Sequence, residues 1–206
     1  MRRLRPWLAC LCLLAACGST APSLSRDERE RLPLDGRQEI FDAENDLVIA
    51  RNRADLANAQ LHNVDSALAE LDVVQKRCET RLSATPAGSG HIPLLRKVVR
   101  TERDYIDARR DVALAEVTVA QQEIRIAQVR VDLVKQRQLV RIGKAPGSAL
   151  AAFERAIDEQ EEKGKQTRSS SLDLRTKAQG LLDLWKRTQA EYATQTGDFD
   201  SGTWLR

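Results

Sequence analysis

The side chains with most reactive potential in this 206-residue sequence are four cysteines and two histidines. A thiol can be a nucleophile, a metal ligand, half of a disulfide or a point of covalent attachment. Cys10, Cys12 and Cys17 crowd the amino-terminal end, whereas Cys78 stands alone in the body of the chain. His62 and His91 belong to no His-Glu-x-x-His or Cys-x-x-Cys arrangement, so no metal site is expected. No Gly-x-Ser-x-Gly elbow or phosphate-binding loop is present, and Gly88-Ser89-Gly90 is turn material. Acidic pairs such as Asp42 with Glu44, and Glu159 with Glu161 and Glu162, would need a desolvating cleft to work as acid and base. The serines at 169–171 follow Arg168 without a general base beside them. The expectation is a non-enzyme with no catalytic residue, no cofactor and no metal.

Cys17 is the exception, because its surroundings are ordered. Arg2, Arg3 and Arg5 precede an apolar run from Trp7 to Ala16, and Cys17 is followed at once by Gly18-Ser19-Thr20. That run is about half the length of a bilayer-spanning helix, and the layout is that of a secretory signal. Leu14-Ala15-Ala16-Cys17 resembles the lipobox of bacterial lipoproteins. The resemblance covers only the first twenty or so residues. It implies removal of 1–16, lipidation of the Cys17 thiol, acylation of the new amino terminus, and a membrane anchor in a Gram-negative envelope. Gly18, in place of an aspartate after the cysteine, implies sorting to the outer membrane with the protein facing the periplasm. The alternative is a plain cleaved signal with an incidental cysteine.

Processing changes the charge argument. The whole chain carries +3, but loss of Arg2, Arg3 and Arg5 leaves 30 basic against 30 acidic residues. A neutral chain without a basic stripe argues against nucleic acid as a partner. Cys10 and Cys12 depart with the signal, so Cys78 has no internal disulfide mate and is expected to be a buried small apolar residue, with an intermolecular disulfide as the alternative.

The elements that must carry any surface follow from periodicity. Residues 17–34 are polar, contain Pro22 and Pro33, and are expected to form a flexible tether in which Ser25 and Glu28 could start a short helix. Asp35 and Gln38 have the spacing of a capping box. Beyond them, Ile40, Leu47, Ala54, Leu61, Leu68, Gln75 and Leu82 alternate with Ala43, Ala50, Ala57, Val64, Leu71 and Cys78 in a heptad pattern. After TPAGSGHIP (85–93), Val98, Tyr105, Val112, Val119, Ile126, Leu133 and Val140 recur every seven residues. Stripes at Val99, Ile106, Ala113, Ala120, Ala127 and Val134, and at Val117, Ile124 and Val131, make this helix apolar on more than one side. It must therefore be covered on more than one side. Gly143 is placed for a helix C′ and Ser148 for the next N-cap.

The third segment spaces Phe153, Ile157, Gln160, Gly164, Thr167, Ser171, Leu174, Ala178, Leu181, Trp185, Thr188 and Tyr192 by fours and threes. Its middle, EEKGKQTRSSS (161–171), is a poor apolar seam, and Gly164 costs about 1 kcal/mol in a helix interior. That zone is expected to be frayed, kinked or dependent on a partner. Phe199 and Trp204 are candidate contact points in a loose tail, 196–206.

The predicted fold is all-α: an elongated antiparallel coiled coil over 35–195, with helices at about 36–84, 93–142 and 148–195 running up, down and up. A two-helix hairpin with a loosely attached third segment is the alternative. Residues 92–144 carry +5, 18–91 carry −4 and 145–206 carry −1, which favours the second helix lying between the others. Function is expected to be a lipid-anchored periplasmic scaffold or adaptor binding envelope proteins. The long Ala- and Leu-rich helices also resemble, in composition alone, the periplasmic hairpins of efflux channels and adaptors. Thus an accessory role in efflux or secretion is an alternative, as is regulation of cell-wall enzymes. Apolar stripes left over on the helices leave room for a homo-oligomer.

Overall fold

A computed structural model describes residues 22–84 and 92–197. Cys17, His91, the first interhelical turn, Phe199 and Trp204 lie outside the described residues. Among the described residues four α-helices follow in order: α1 (Arg26–Arg31), α2 (Leu34–Ala84), α3 (Ile92–Arg141) and α4 (Leu150–Thr196). The three long ones have 51, 50 and 47 residues, roughly 75 Å each at about 1.5 Å per residue. No strand occurs among the described residues.

Side-chain pairs fix the topology. Along α2 and α3, Asp35 meets Arg141, Asp65 meets Arg110 and Asp72 meets Arg103, so the two run antiparallel. Along α3 and α4, Gln122 meets Gln160, Glu116 meets Arg175 and Lys97 meets Glu191, which is again antiparallel. The extensive helix contacts are α2 with α3 and α3 with α4. The arrangement is therefore a three-helix layer with α3 at its centre and α2 and α4 at its edges. None of the apolar residues in α3's three predicted stripes is exposed. One set, with Ala120, Ile124, Ala127 and Val131, packs on Leu47, Ala50, Ala54 and Ala57 of α2. The opposite side takes α4, with Tyr105 stacked on Trp185 at 5.6 Å between ring centres. At the far end Val74, Cys78, Leu95, Val98, Val99 and Tyr192 join all three long helices in one cluster.

Several local expectations change. Part of the stretch read as tether is ordered: Ser25 and Glu28 form a reciprocal capping box that starts α1, and Leu32 behind it is 2% exposed. Helix α2 begins at Leu34, so Asp35 lies in its first turn and is not the cap. Its carboxylate accepts from Arg141 at 2.8 Å, while Gln38 donates forward to Asp42. Val74 is buried and Gln75 only partly so, because a straight helix drifts against a strict seven-residue repeat. Gly143 is C′ with φ +72°: its N–H donates to Val140 and that of Lys144 to Leu139, the two bonds of a Schellman motif. Ser148 sits inside a 3-10 turn (Gly147–Ala149), where the Ala149 N–H bonds to the Pro146 carbonyl, and no side chain caps α4.

The largest change concerns 161–171, which is continuous helix. Gly164 and Ser171 are buried, and a Cβ on Gly164 would stand 3.2 Å from Ile126 Cδ1. Small residues here bring α4 close to α3. Buried Gln122 then donates to both the backbone and the side-chain oxygen of Gln160, at 2.9 Å each. The weak apolar seam is a close-approach seam, and α3 is the partner it requires.

Candidate functional site

Two surfaces of the layer merit comparison. The first is the groove above α3 between the edge helices, a chain of three adjoining hollows of about 460, 460 and 450 Å³. Its floor includes Ala57 and Ala120, and Leu56 and Leu172 stand on its rims at 65% and 59% exposure. Charged side chains bridge it: Glu123 accepts from Arg53 of α2 at 3.5 Å and from Arg168 of α4 at 3.1 Å. Glu116 accepts from Arg175 at 2.8 Å. The groove's central carboxylates are thus committed to lacing the layer together. These pairs are half open to solvent, and each contributes on the order of 0.2–1 kcal/mol.

The second surface is the face of α2 turned away from α3. At about 100° per residue, the positions opposite Leu47, Ala50, Ala54 and Ala57 include Leu34, Phe41, Asn45, Val48, Asn52 and Leu56. Within roughly 50° of that direction no charged residue occurs between positions 34 and 67, although 31% of the chain is charged. Leu34, Phe41 and Val48 are 76%, 65% and 50% exposed. The corresponding face of α4 carries Arg155, Glu162, Asp173 and Arg187, an ordinary solvated pattern. An isolated exposed leucine needs no explanation, but an uncharged stripe more than thirty residues long does.

The residues singled out for reactivity do not converge. His62 is exposed on α2, and Cys78 is buried among Val74, Leu95, Val98 and Tyr192. Among the described residues no group of three or more His, Cys, Asp or Glu side chains is placed to hold a metal ion. No helix among them is long and apolar enough to cross a membrane. The titrations that move are concentrated where α1 and the start of α2 meet the end of α3. Lys144, followed by the Ser25 N–H and hydroxyl, holds Glu28 down to about 2. Arg141 lowers Asp35. Burial pushes Glu44 up, but Arg29 and Lys135 outweigh it and leave Glu44 lowered. Asp132 is raised by burial, against the pull of Gln128 and Lys135.

What the fold defines is an all-α three-helix layer with one face left unused. No protein-family profile, no curated protein and no solved structure matches the chain.

Proposed function

We propose that this protein is a non-enzymatic, lipid-anchored scaffold or adaptor that engages other proteins of a Gram-negative cell envelope. Cys17 is its attachment point, on the periplasmic face of the outer membrane. The observation that carries the anchor is the order basic start, short apolar run, Leu14-Ala15-Ala16-Cys17, polar continuation. The helical layer supports the scaffold half of the reading. It presents roughly 75 Å of straight surface, its groove carboxylates are tied up in ion pairs, and one outer face carries no charge over thirty residues.

The anchor is tested by growing producing cells with labelled palmitate and fractionating their membranes. The chain is expected to take up label and sediment with outer membrane, and Cys17→Ser to lose both properties. An unlabelled wild-type chain, or a Cys17→Ser chain with unchanged mass and fractionation, defeats the reading. Crosslinking in intact cells followed by mass spectrometry identifies the partner. Recovery of efflux components or of cell-wall enzymes would select one of the two narrower roles.

A further inference from the structure

The uncharged face of α2 has the spacing of a second helix seam. Leu34, Phe41 and Val48 recur every seven residues, and Gln38, Asn45 and Asn52 follow each of them by four. Alternation by fours and threes is what a coiled-coil partner requires, and amides within such a seam select register and partner at some loss of stability.

The charges bordering the stripe identify the partner. Along one border run Arg37, Glu44 and Arg51, and Asp55 closes the series, so the signs alternate plus, minus, plus, minus. That order inverts when read backwards from a point between residues 46 and 47. A second copy of α2 running the opposite way sets Arg37 against Asp55 and Glu44 against Arg51, each twice. The same register lays Phe41 on Asn52 and Asn45 on Val48. This is the self-complementarity that a two-fold interface demands, in which one residue meets a second and the second meets the first. A parallel copy would carry the border of Arg37, Glu44, Arg51 and Asp55 to the opposite side of the seam, where it could not pair with itself. Within the described chain, Arg37, Arg51 and Asp55 have no ion-pair partner, whereas neighbouring Asp35, Glu44 and Arg53 do. Three of the four charges that the dimer needs are thus left unused, and the fourth, Glu44, already accepts from Arg29 and Lys135.

We infer that the protein forms an antiparallel homodimer through the outer face of α2, about an axis near residues 46 and 47, joining two three-helix layers edge to edge. The inference does not depend on the lipid, so failure of either reading leaves the other standing.

The test places a photo-crosslinking side chain at Phe41 in the full chain, in the cells that make it. The expected product has twice the mass of the chain, with the crosslink mapped near Asn52 of the second copy. Crosslinks to the Phe41 region of a second copy, to a different protein or to lipid overturn the inference, as does the absence of any product. Sedimentation equilibrium of the full chain in mild detergent then tests the chemistry. Phe41→Glu with Val48→Glu should raise the dimer dissociation constant at least about tenfold with helix content unchanged. Arg37→Asp and Asp55→Arg should each weaken the dimer several-fold, and the two together should restore it. A double variant as weak as either single one excludes the antiparallel register.

Discussion

Helices α2 and α4 occupy equivalent places at opposite edges of the same layer, and both pack on α3 through one side. Their outer faces nevertheless differ completely. Arg155, Glu162, Asp173 and Arg187 turn α4 into a solvated edge, whereas α2 exposes Leu34, Phe41 and Val48 without a charge among them. Their inner faces differ as well, in the same sense. The inner side of α2 is an alanine and leucine seam, while that of α4 is held at its middle by Gly164, Ser171 and the Gln122–Gln160 pair. The edge with the more apolar inner seam thus also has the more apolar exterior. Exclusion of water from α3 accounts only for the inner seam, and the outer stripe calls for a second surface to cover it.

The strongest way to break this comparison is to show that the two faces of α2 are energetically alike. Leu47→Ala removes a side chain buried against Ala127 and Val131, and should cost about 2–5 kcal/mol in urea unfolding. Phe41→Ala, at 65% exposure, should stay within about 0.5 kcal/mol when the protein is dilute. If α2 pairs with a second copy, the Phe41→Ala deficit should grow with protein concentration, because association stabilises only the folded chain. Equal losses for Leu47 and Phe41 in dilute solution would mean that the outer stripe is covered within a single chain.

A smaller effect separates two glycines of α4. Gly164→Leu drives a side chain into Ile126 and Gln122, and should destabilise by about 1–3 kcal/mol through overpacking. Nothing lies within 4 Å of a Cβ on Gly180, so Gly180→Ala should stabilise by roughly 0.5–1 kcal/mol through helix propensity alone. Chemical denaturation of both variants sets the scale. If Gly164→Leu is neutral, α4 does not need its close approach to α3, and the Gln122–Gln160 pair loses its supporting geometry.

Much of this layer was legible in the heptads. Leu47, Ala50, Ala54, Ala57 and Val64 were placed on the inner face of α2, and every position assigned to the α4 seam is buried or partly buried. The spacing at Gln160, Gly164, Thr167 and Ser171 therefore gives the correct register without giving its consequence. Periodicity marks which side faces inward, and does not tell a loose seam from a close one. That distinction rests on what Ile126 and Gln122 present across the gap. Docking of α1 was hidden for a related reason. Glu28 meets Lys144 only because the hairpin returns the end of α3 to the start of α2, and Arg29 meets Glu44 only because α1 folds back along α2. The uncharged stripe was in the sequence throughout, yet it has no meaning as an outer face until the inner face is known.

The smallest expected effect concerns what else is attached to the α2 edge. Helix α1 has six residues, far too few to persist alone in water, and charged contacts hold it: Glu28 to Lys144 at 2.8 Å and Arg29 to Glu44 at 2.7 Å. Glu28 titrates at about 2 in the folded chain against an ordinary 4.5, so folding favours its ionised form. Its contribution is complete above pH 4.5 and is lost as the pH falls through about 2. The lowered values of Asp35 and Glu44 act in the same direction at the same end. Asp132, raised by burial, acts in the opposite direction, since protonation relieves it. Acid should therefore release α1 from the α2–α3 end before it disturbs α4, an order visible in amide resonances followed from neutral pH downward. Glu28→Gln should reproduce the release of α1 at neutral pH, because a neutral amide keeps the shape of the side chain and loses the charge that Lys144 meets. If α4 signals move first, or α1 stays protected in Glu28→Gln, then burial of Leu32 holds α1 in place and the ion pairs are incidental.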